Sequence, residues 1–307
     1  MHITVASGKG GTGKTTIAIN LMLSIAEIDA AARPSELVFL DCDVEEPNAH
    51  LFLNPQMERE EEVGILVPEV DAEACTYCGT CAEVCAYNAI AVMGQQVLVF
   101  PQLCHGCGSC TYNCPEDAIR EVLTPTGTLA WGQIATPGAE IAFGHGVLNV
   151  GEAMATPIIR QLKQRSLPQA PGSLAILDAP PGNACPVVET MHGSDFVLLV
   201  TEPTPFGLHD LRGAVAVARE ELGRPVGVVI NRHAVTHGVG DEGVARFCAE
   251  ADIPILMRIP LERRIAEAYA AGIPLVKAMP GYRAKFLEMY RRIQALISDN
   301  PVNDKEA

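Results

Sequence analysis

Residues 8–16 read Gly-Lys-Gly-Gly-Thr-Gly-Lys-Thr-Thr, between a short β-prone run, His2-Ile3-Thr4-Val5-Ala6, and a helix-prone stretch from Ile17 to Ile28. A glycine loop between strand and helix lets successive backbone N–H groups turn onto phosphate oxygens, and the helix N-terminus adds its positive end. In the pattern G-x4-G-K-T, Gly8, Gly10, Gly11, Thr12, Gly13 and Thr16 form the cradle. Lys14 can reach β- and γ-phosphates, and the Thr15 hydroxyl can bind Mg²⁺. A strand, phosphate loop and helix in this order call for an α/β sheet, which excludes all-helical and all-β folds for this part of the chain.

Two further apolar runs end in acids. Leu37-Val38-Phe39-Leu40 leads into Asp41-Cys42-Asp43, and Leu174-Ala175-Ile176-Leu177 leads into Asp178-Ala179-Pro180-Pro181-Gly182. Open α/β sheets bind ligands beyond the carboxyl ends of their strands, which is where both acids fall. Asp178 has the form of a Walker B acid that holds Mg²⁺ through water. Gly182, lacking a side chain, can approach a γ-phosphate closely and distinguish ATP from ADP. Residues 196–201 and 226–231 are further β-branched runs suited to a buried parallel sheet.

Lys9 puts a second lysine into the loop, in the order K-G-G-T-G-K-T-T. On these residues the chain resembles the deviant Walker A ATPases, the class of MinD, ParA, Mrp and the nitrogenase iron protein. The resemblance implies ATP and ADP as the nucleotides, and an ATP-dependent sandwich homodimer in which Lys9 crosses to the partner's nucleotide. It also implies that Asp43 lies in a first switch, orienting the attacking water or the Mg²⁺ shell, while Asp41 fixes the loop. Asn231, after Gly227-Val228-Val229-Ile230, matches the family's adenine-contacting asparagine. Ile259-Pro260 and Ala271-Gly272-Ile273-Pro274 follow Mrp-like members, and Thr201-Glu202-Pro203 through Asp210 is like the same group. The implied activity is slow, partner-coupled, Mg²⁺-dependent ATP hydrolysis, with Lys9, Lys14, Asp43 and Asp178 as its catalytic residues.

Eight of the eleven cysteines form two copies of C-x2-C-x2-C-x3-C, namely Cys75, Cys78, Cys81, Cys85 and Cys104, Cys107, Cys110, Cys114. Ala89-Ile90 and Ala118-Ile119 recur at the same offset of 29 residues, so the block is an internal duplication. Three thiolates at this spacing on a tight loop face one side of an iron-sulfur cube. Zinc sites use paired cysteines and do not require third and fourth thiols at these intervals twice, and disulfides do not persist in a reducing compartment. The block resembles the two-cluster bacterial ferredoxins. The resemblance implies crossed ligation, with Cys75, Cys78, Cys81 and Cys114 on one [4Fe–4S] cluster and Cys104, Cys107, Cys110 and Cys85 on the other. Ala86 follows Cys85 where ferredoxins commonly have proline, whereas Cys114-Pro115 keeps it. Cys42 and Cys248 read as buried thiols. Cys185 stands seven residues beyond Asp178, a spacing that resembles an interface cluster ligand of the nitrogenase iron protein, but a second interface cysteine and a late C-x-x-C are both absent.

The expected fold class is α/β, a mostly parallel-sheet P-loop NTPase domain with an inserted α+β bacterial-ferredoxin-like domain. Residues 1–63 and 123–307 form the ATPase and residues 64–122 the inserted unit, with a charged run at 58–62 read as a solvated face and a Thr- and Gly-rich stretch at 123–132 as a soft boundary. The whole chain looks like MinD-superfamily ATPases that carry such an insertion. A formal charge of −15 opposes nucleic acid and anionic lipid as generic partners, and no segment reaches the ~20 apolar residues of a membrane span. Phe286, Leu287, Tyr290, Ile293, Leu296 and Ile297 recur at helical spacing among basic residues, followed by a polar, acidic tail, so this helix reads as packing rather than as a membrane anchor. His145 reads as a loop histidine that could face the cysteine unit or a client metal. The expectation is a cytoplasmic protein with a protein client, no nucleic-acid partner and no stable membrane association. Two functions stay open: a nucleotide-gated donor of electrons for reduction or metal-centre assembly on the client, or an Mrp-type iron-sulfur cluster carrier or scaffold.

Overall fold

Short apolar strands buried at nearly every position alternate with helices, which is how a chain builds a sheet covered on both faces. The computed structural model describes residues 1–233 and 239–299; most of the expected acidic tail lies outside them. In chain order the elements are β1 (His2–Ala6), α1 (Lys14–Ala26), β2 (Leu37–Asp41), α2 (His50–Leu53), β3 (Gln56–Val70), α3 (Thr80–Glu83), β4 (Ile90–Val92), β5 (Val97–Val99) and α4 (Ser109–Tyr112). There follow β6 (Ile119–Ala135), β7 (Glu140–Leu148), α5 (Thr156–Ser166), β8 (Leu174–Asp178), α6 (Cys185–Met191), β9 (Phe196–Thr201) and α7 (Pro205–Val215). The last are β10 (Val226–His233), α8 (Val239–Glu250), β11 (Ile255–Pro260), α9 (Arg263–Ala270), α10 (Leu275–Ala278) and α11 (Tyr282–Asp299).

One sheet of nine strands runs β11-β10-β9-β1-β8-β2-β7-β6-β3. Neighbours are parallel from β11 to β7, and β6 and β3 finish that edge antiparallel. The sheet is thus mostly parallel, as the apolar runs predict. On one face Ile17 and Leu21 of α1 and Phe286, Met289 and Ile293 of α11 pack over Phe39, Phe143 and Ile176. On the other, α6, α7 and α8 cover Val197, Leu199 and Val228, while Ile158, Ile159 and Leu162 of α5 cover Leu40, Ala175 and Leu177. Burying each α11 anchor removes apolar area worth about 1.5–3 kcal/mol. Its basic residues are engaged as well: Arg283 pairs with Glu27 at 2.6 Å, and Arg292 donates to the Ile255 and Leu256 carbonyls. Among the described residues no helix is long and apolar enough to cross a membrane.

β3 and β6 are longer than the sheet requires. β6 pairs with β7 only from Gly127 to Ala135, but it pairs with β3 along nearly its whole length. Past a register shift between Val63 and Gly64 the two strands leave the sheet as a two-stranded ribbon, residues 64–70 against 119–125. The shift has a local cause. A Cβ on Gly64 would lie 1.9 Å from the Thr124 carbonyl oxygen, and Pro125 offers the ladder no N–H. The ribbon carries residues 71–118, with all eight repeated cysteines, the one-turn helices α3 and α4, and the small hairpin β4–β5. Both expected divisions of the chain fall inside continuous strands, 63/64 at the shift and 122/123 within the ribbon. The Thr- and Gly-rich stretch 123–132 is strand, because Gly127 and Gly132 sit where a Cβ would meet the Val147 or Gln56 carbonyl at 2.3 Å.

Candidate functional site

The loop after β1 opens onto a cavity of about 360 Å³ at the carboxyl ends of the parallel strands. Gly10, Gly11, Gly13, Lys14, Thr15 and Thr16 line one side, Asp43 and Asn48 a second, and Asn231, Pro260, Leu261, Ile265 and Tyr269 a third. The polar floor and apolar far wall suit a molecule with a phosphate end and a flat apolar end. Gly13 holds the left-handed conformation, φ +96°, and a Cβ there would lie 2.4 Å from the Asn231 amide nitrogen. That amide donates to the Thr12 carbonyl at 2.7 Å, so Asn231 braces the loop from β10 in addition to lining the cavity. Gly8 lies under α7, where a Cβ would be 2.3 Å from the Asp210 carbonyl oxygen.

Three carboxylates converge below the loop. Asp41, fully buried at the end of β2, accepts N–H bonds from Asp43 (3.2 Å), Asn48 and Ala49 (both 2.9 Å), so it shapes the segment that presents Asp43. Asp178, in register with Asp41 on β8, accepts from the Thr15 hydroxyl at 2.5 Å, while its second oxygen is buried with no partner. Burial raises the Asp178 pKa well above the carboxylate range, and the neighbouring Asp41 adds to it against the opposing pull of Lys14 and Thr15. Burial likewise raises Asp41, and it raises Asp43 against the pull of Lys14. One buried lysine facing three acids leaves the pocket short of positive charge, and the orphaned Asp178 oxygen beside Thr15 marks where a cation would sit. Gly182, at φ +98° with open space around it, donates its N–H to the Ser7 carbonyl at 3.0 Å, tying the turn after β8 to the start of the loop.

Lys9 is turned toward its own chain. Its ammonium pairs with Glu202 at 2.9 Å, and Glu202, nearly buried at the end of β9, holds the Arg232 guanidinium on its other oxygen. Arg232 carries a left-handed backbone, φ +54°, and also lines the cavity. Neither Glu202 nor Arg232 stands out in the sequence as a site residue. The available signal is that Glu202 is an acid at the carboxyl end of an apolar run, like Asp41 and Asp178. His145 lies on β7 rather than in a loop, edge-on to His50 at 5.6 Å between ring centroids. Burial and His50 lower its pKa to about 4. Gly144 and Gly146 look like loop residues but let helix side chains approach β7, where a Cβ on Gly146 would lie 2.8 Å from both Ile158 and Val44.

The ribbon-borne unit contains two hollows. Each encloses about 20 Å³; the first is lined by Cys75, Cys78, Cys81 and Cys114, and the second by Cys104, Cys107, Cys110 and Cys85. Each fourth cysteine therefore stands with the other run's three. The 29-residue repeat extends to the backbone: Tyr77 and Gly106, Gly79 and Gly108, and Asn88 and Asp117 all take positive φ. Gly79 and Gly108 open α3 and α4, and the Tyr77 and Gly106 amides each donate to a cysteine sulfur at 3.4 Å. Hydrogen bonds from Thr80 and Ser109 lower the pKa of Cys78 and Cys107, whereas burial raises Cys81 and Cys110. Among the described residues no three His, Cys, Asp or Glu side chains converge as a lone metal ion requires. A single zinc ion needs four sulfurs about 2.3 Å from one point. Eight free thiols are set around the two hollows, and on each run one backbone amide is aimed at a sulfur.

The model of the CobQ/CobB/MinD/ParA nucleotide binding domain matches residues 3–275. An uncharacterized protein of Methanocaldococcus jannaschii is 30% identical over 283 residues, covering 90% of this chain and 92% of the relative. A second uncharacterized protein of that organism is 32% identical over 210 residues, 68% of this chain and 70% of its own length. Among solved structures, MinD of Pyrococcus horikoshii complexed with Mg-ADP superposes with a TM-score of 0.54 at 19% identity, covering 96% of both chains. MinD of Aquifex aeolicus in its MinC:MinD complex superposes at 0.55 and 14% identity, covering 99% of this chain and 98% of that one. These likenesses establish the α/β P-loop fold.

Proposed function

Because the chain belongs to the CobQ/CobB/MinD/ParA nucleotide-binding family, we propose that it is a Mg²⁺-dependent ATPase whose nucleotide state governs two [4Fe–4S] clusters. The clusters would serve electron delivery to, or metal-centre assembly on, a protein client. The observation that carries this reading is the pair of four-cysteine hollows, related by a 29-residue repeat and mounted on a ribbon that springs from the edge of the nucleotide-binding sheet. When bound, the clusters would supply one-electron chemistry.

Lys14 would neutralise the β- and γ-phosphates, and Thr15 with Asp178 would hold Mg²⁺, which would satisfy the orphaned Asp178 oxygen. Asp43 orients the attacking water, its loop fixed by Asp41. Asn231, Pro260 and the apolar wall around Tyr269 take the base. Gly182, tied to Ser7, follows the γ-phosphate. Lys9 leaves Glu202 and crosses to a second copy's nucleotide in an ATP-dependent homodimer, the deviant Walker A arrangement. Shifting such a two-state equilibrium from 1:99 to 99:1 takes about 5.5 kcal/mol, within reach of several charge-assisted phosphate contacts.

The Mrp-type carrier reading keeps one observation in its favour, the exposure of Cys78 and Cys107, one on each hollow. Anaerobic purification separates the two. Visible-absorbing clusters that change redox state with ATP support the donor, and clusters lost to an apo-acceptor support the carrier. Colourless, iron-free protein overturns both. Lys14→Ala should abolish hydrolysis and ATP-dependent dimerisation, and retention of both would overturn the nucleotide half.

A further inference from the structure

We propose that α5 is a link that carries the nucleotide-dependent position of α6 to the root of the cysteine-bearing ribbon, and delivers it to the second hollow but not the first. The inference rests on the nucleotide reading above. It does not depend on what fills the hollows.

At one end α5 is fastened to α6. The Lys163 ammonium, buried, donates to the Glu189, Thr190 and His192 carbonyls, the last two at 3.2 and 2.7 Å, so it caps the C-terminus of α6 in place of the missing helical donors. Arg160 adds an ion pair to Glu189 at 2.7 Å. α6 starts at Cys185, three residues past Gly182, whose N–H is bound to Ser7 of the phosphate loop. A shift of the turn after Asp178 therefore moves α6, and charge-assisted bonds to three carbonyls oblige α5 to follow.

At its other end α5 holds the ribbon root. Gln161 donates to the Gly64 carbonyl at 3.0 Å, and Arg165 pairs with Glu61 at 2.6 Å, so the two contacts straddle the register shift between Val63 and Gly64. A bulge is where a strand pair bends with least loss of ladder bonds. Beyond it, Ile65 and Leu66 touch the second cysteine run. A Cβ on Gly106 would lie 3.2–3.3 Å from them, the Cys104 thiol points at the Leu66 carbonyl, and Met154, just ahead of α5, packs with Ile65 and Cys104. Among the described residues, the packing clusters and hollows that hold Ile65 and Leu66 do not include Cys75 or Cys78 of the first hollow. That hollow packs instead on Val70, Val92 and Ile119 toward the ribbon's far end.

The test is hydrogen exchange on the full, anaerobically purified chain, with and without a non-hydrolysable ATP analogue. In the wild type, exchange at residues 64–67 and 103–108 should change about fivefold or more on nucleotide binding, the scale of an ordinary coupling between sites, while residues 73–80 change less than about twofold. Gln161→Ala combined with Arg165→Ala should erase the response at 64–67 and 103–108, and leave both the response at 8–16 and the nucleotide dissociation constant unchanged. Gln161→Glu, which keeps the length but loses the donor, should behave like the alanine variant if the bond to Gly64 matters. The proposal is overturned if residues 8–16 respond and 103–108 do not, if 73–80 respond equally, or if the double variant keeps the wild-type response. No response at 8–16 overturns the nucleotide reading and this link with it.

Discussion

Replacing Asp178 with asparagine should stabilise the nucleotide-free protein and at the same time remove its stabilisation by Mg-ATP. Asp41 and Asp178 are register partners on adjacent strands, hence about 5 Å apart, and at a pH above their raised pKa values, where both are charged, they repel by about 3 kcal/mol at an effective dielectric of 20, in addition to the desolvation that burial imposes on each. Lys14 recovers part of this. Asparagine can still accept the Thr15 hydroxyl bond, so the variant should gain about 1–2 kcal/mol, or roughly 2–6 °C in melting temperature measured in EDTA. With Mg-ATP at a hundred times its dissociation constant the wild type should gain about 2.7 kcal/mol and the variant almost nothing, so the order of the two melting temperatures reverses. The pH dependence has a definite sign. A carboxyl whose folded pKa is raised binds its proton more tightly in the folded state, so stability falls as pH rises from the ordinary carboxylate range to the raised value. The wild type without nucleotide should lose stability over that span and Asp178→Asn should show a flatter curve. A lower melting temperature for the nucleotide-free variant, or an undiminished Mg-ATP shift, would refute the charge-cluster argument.

Glu202→Gln removes the acid that holds Lys9 within its own chain. Because the pair is partly exposed, its release is worth about 0.5–1 kcal/mol, and sedimentation with a non-hydrolysable ATP analogue should find the dimer roughly 2–5-fold tighter; a weaker dimer counts against Lys9 acting in trans. Crossed ligation predicts non-additive losses: Cys85→Ser with Cys107→Ser should cost about half the iron, and Cys85→Ser with Cys78→Ser nearly all of it. The opposite pattern in iron analysis excludes crossing. Gly106→Ala should destabilise the chain by about 1–3 kcal/mol in urea unfolding, from left-handed strain and crowding against Leu66, while Tyr77→Gly at the matching position should stay within about 1 kcal/mol of wild type. Equal costs would mean the two positions are equivalent.

The sequence discloses whatever is local in the chain. The phosphate loop is legible because glycines, lysine and threonine act through neighbours a few residues away, and the cysteine duplication because a repeat compares the chain with itself. Asp41 and Asp178 are legible as acids closing apolar runs. The edge strand β3 is not, because Glu58–Glu62 has no apolar alternation; its solvated side chains are those of a strand at the sheet edge, where charge discourages further pairing, and its partner lies some 70 residues away. Lys163 gives no signal either, since a buried lysine is recognised only by the three carbonyls it caps, and those belong to a helix that begins more than 20 residues later. His145 misleads for the converse reason: the glycines around it mark close packing, not a turn.

The duplicated halves are related in backbone but not in surroundings, and one pair of residues registers the difference. Position 77 and its counterpart 106 share a left-handed conformation, φ +59° and +63°, yet one is tyrosine and the other glycine. A tyrosine there costs about 1–2 kcal/mol of strain, tolerable where the side chain points outward and its hydroxyl reaches the Ala72 carbonyl. At 106 a Cβ would already lie 3.2–3.3 Å from Ile65 and Leu66, which would have to give by a few tenths of an ångström, so glycine suits the copy that packs on this strand. The two hollows are therefore inequivalent by position. One is pressed against the strand that α5 grips, and the other is held at the ribbon's far end, although each has one exposed cysteine, Cys107 and Cys78.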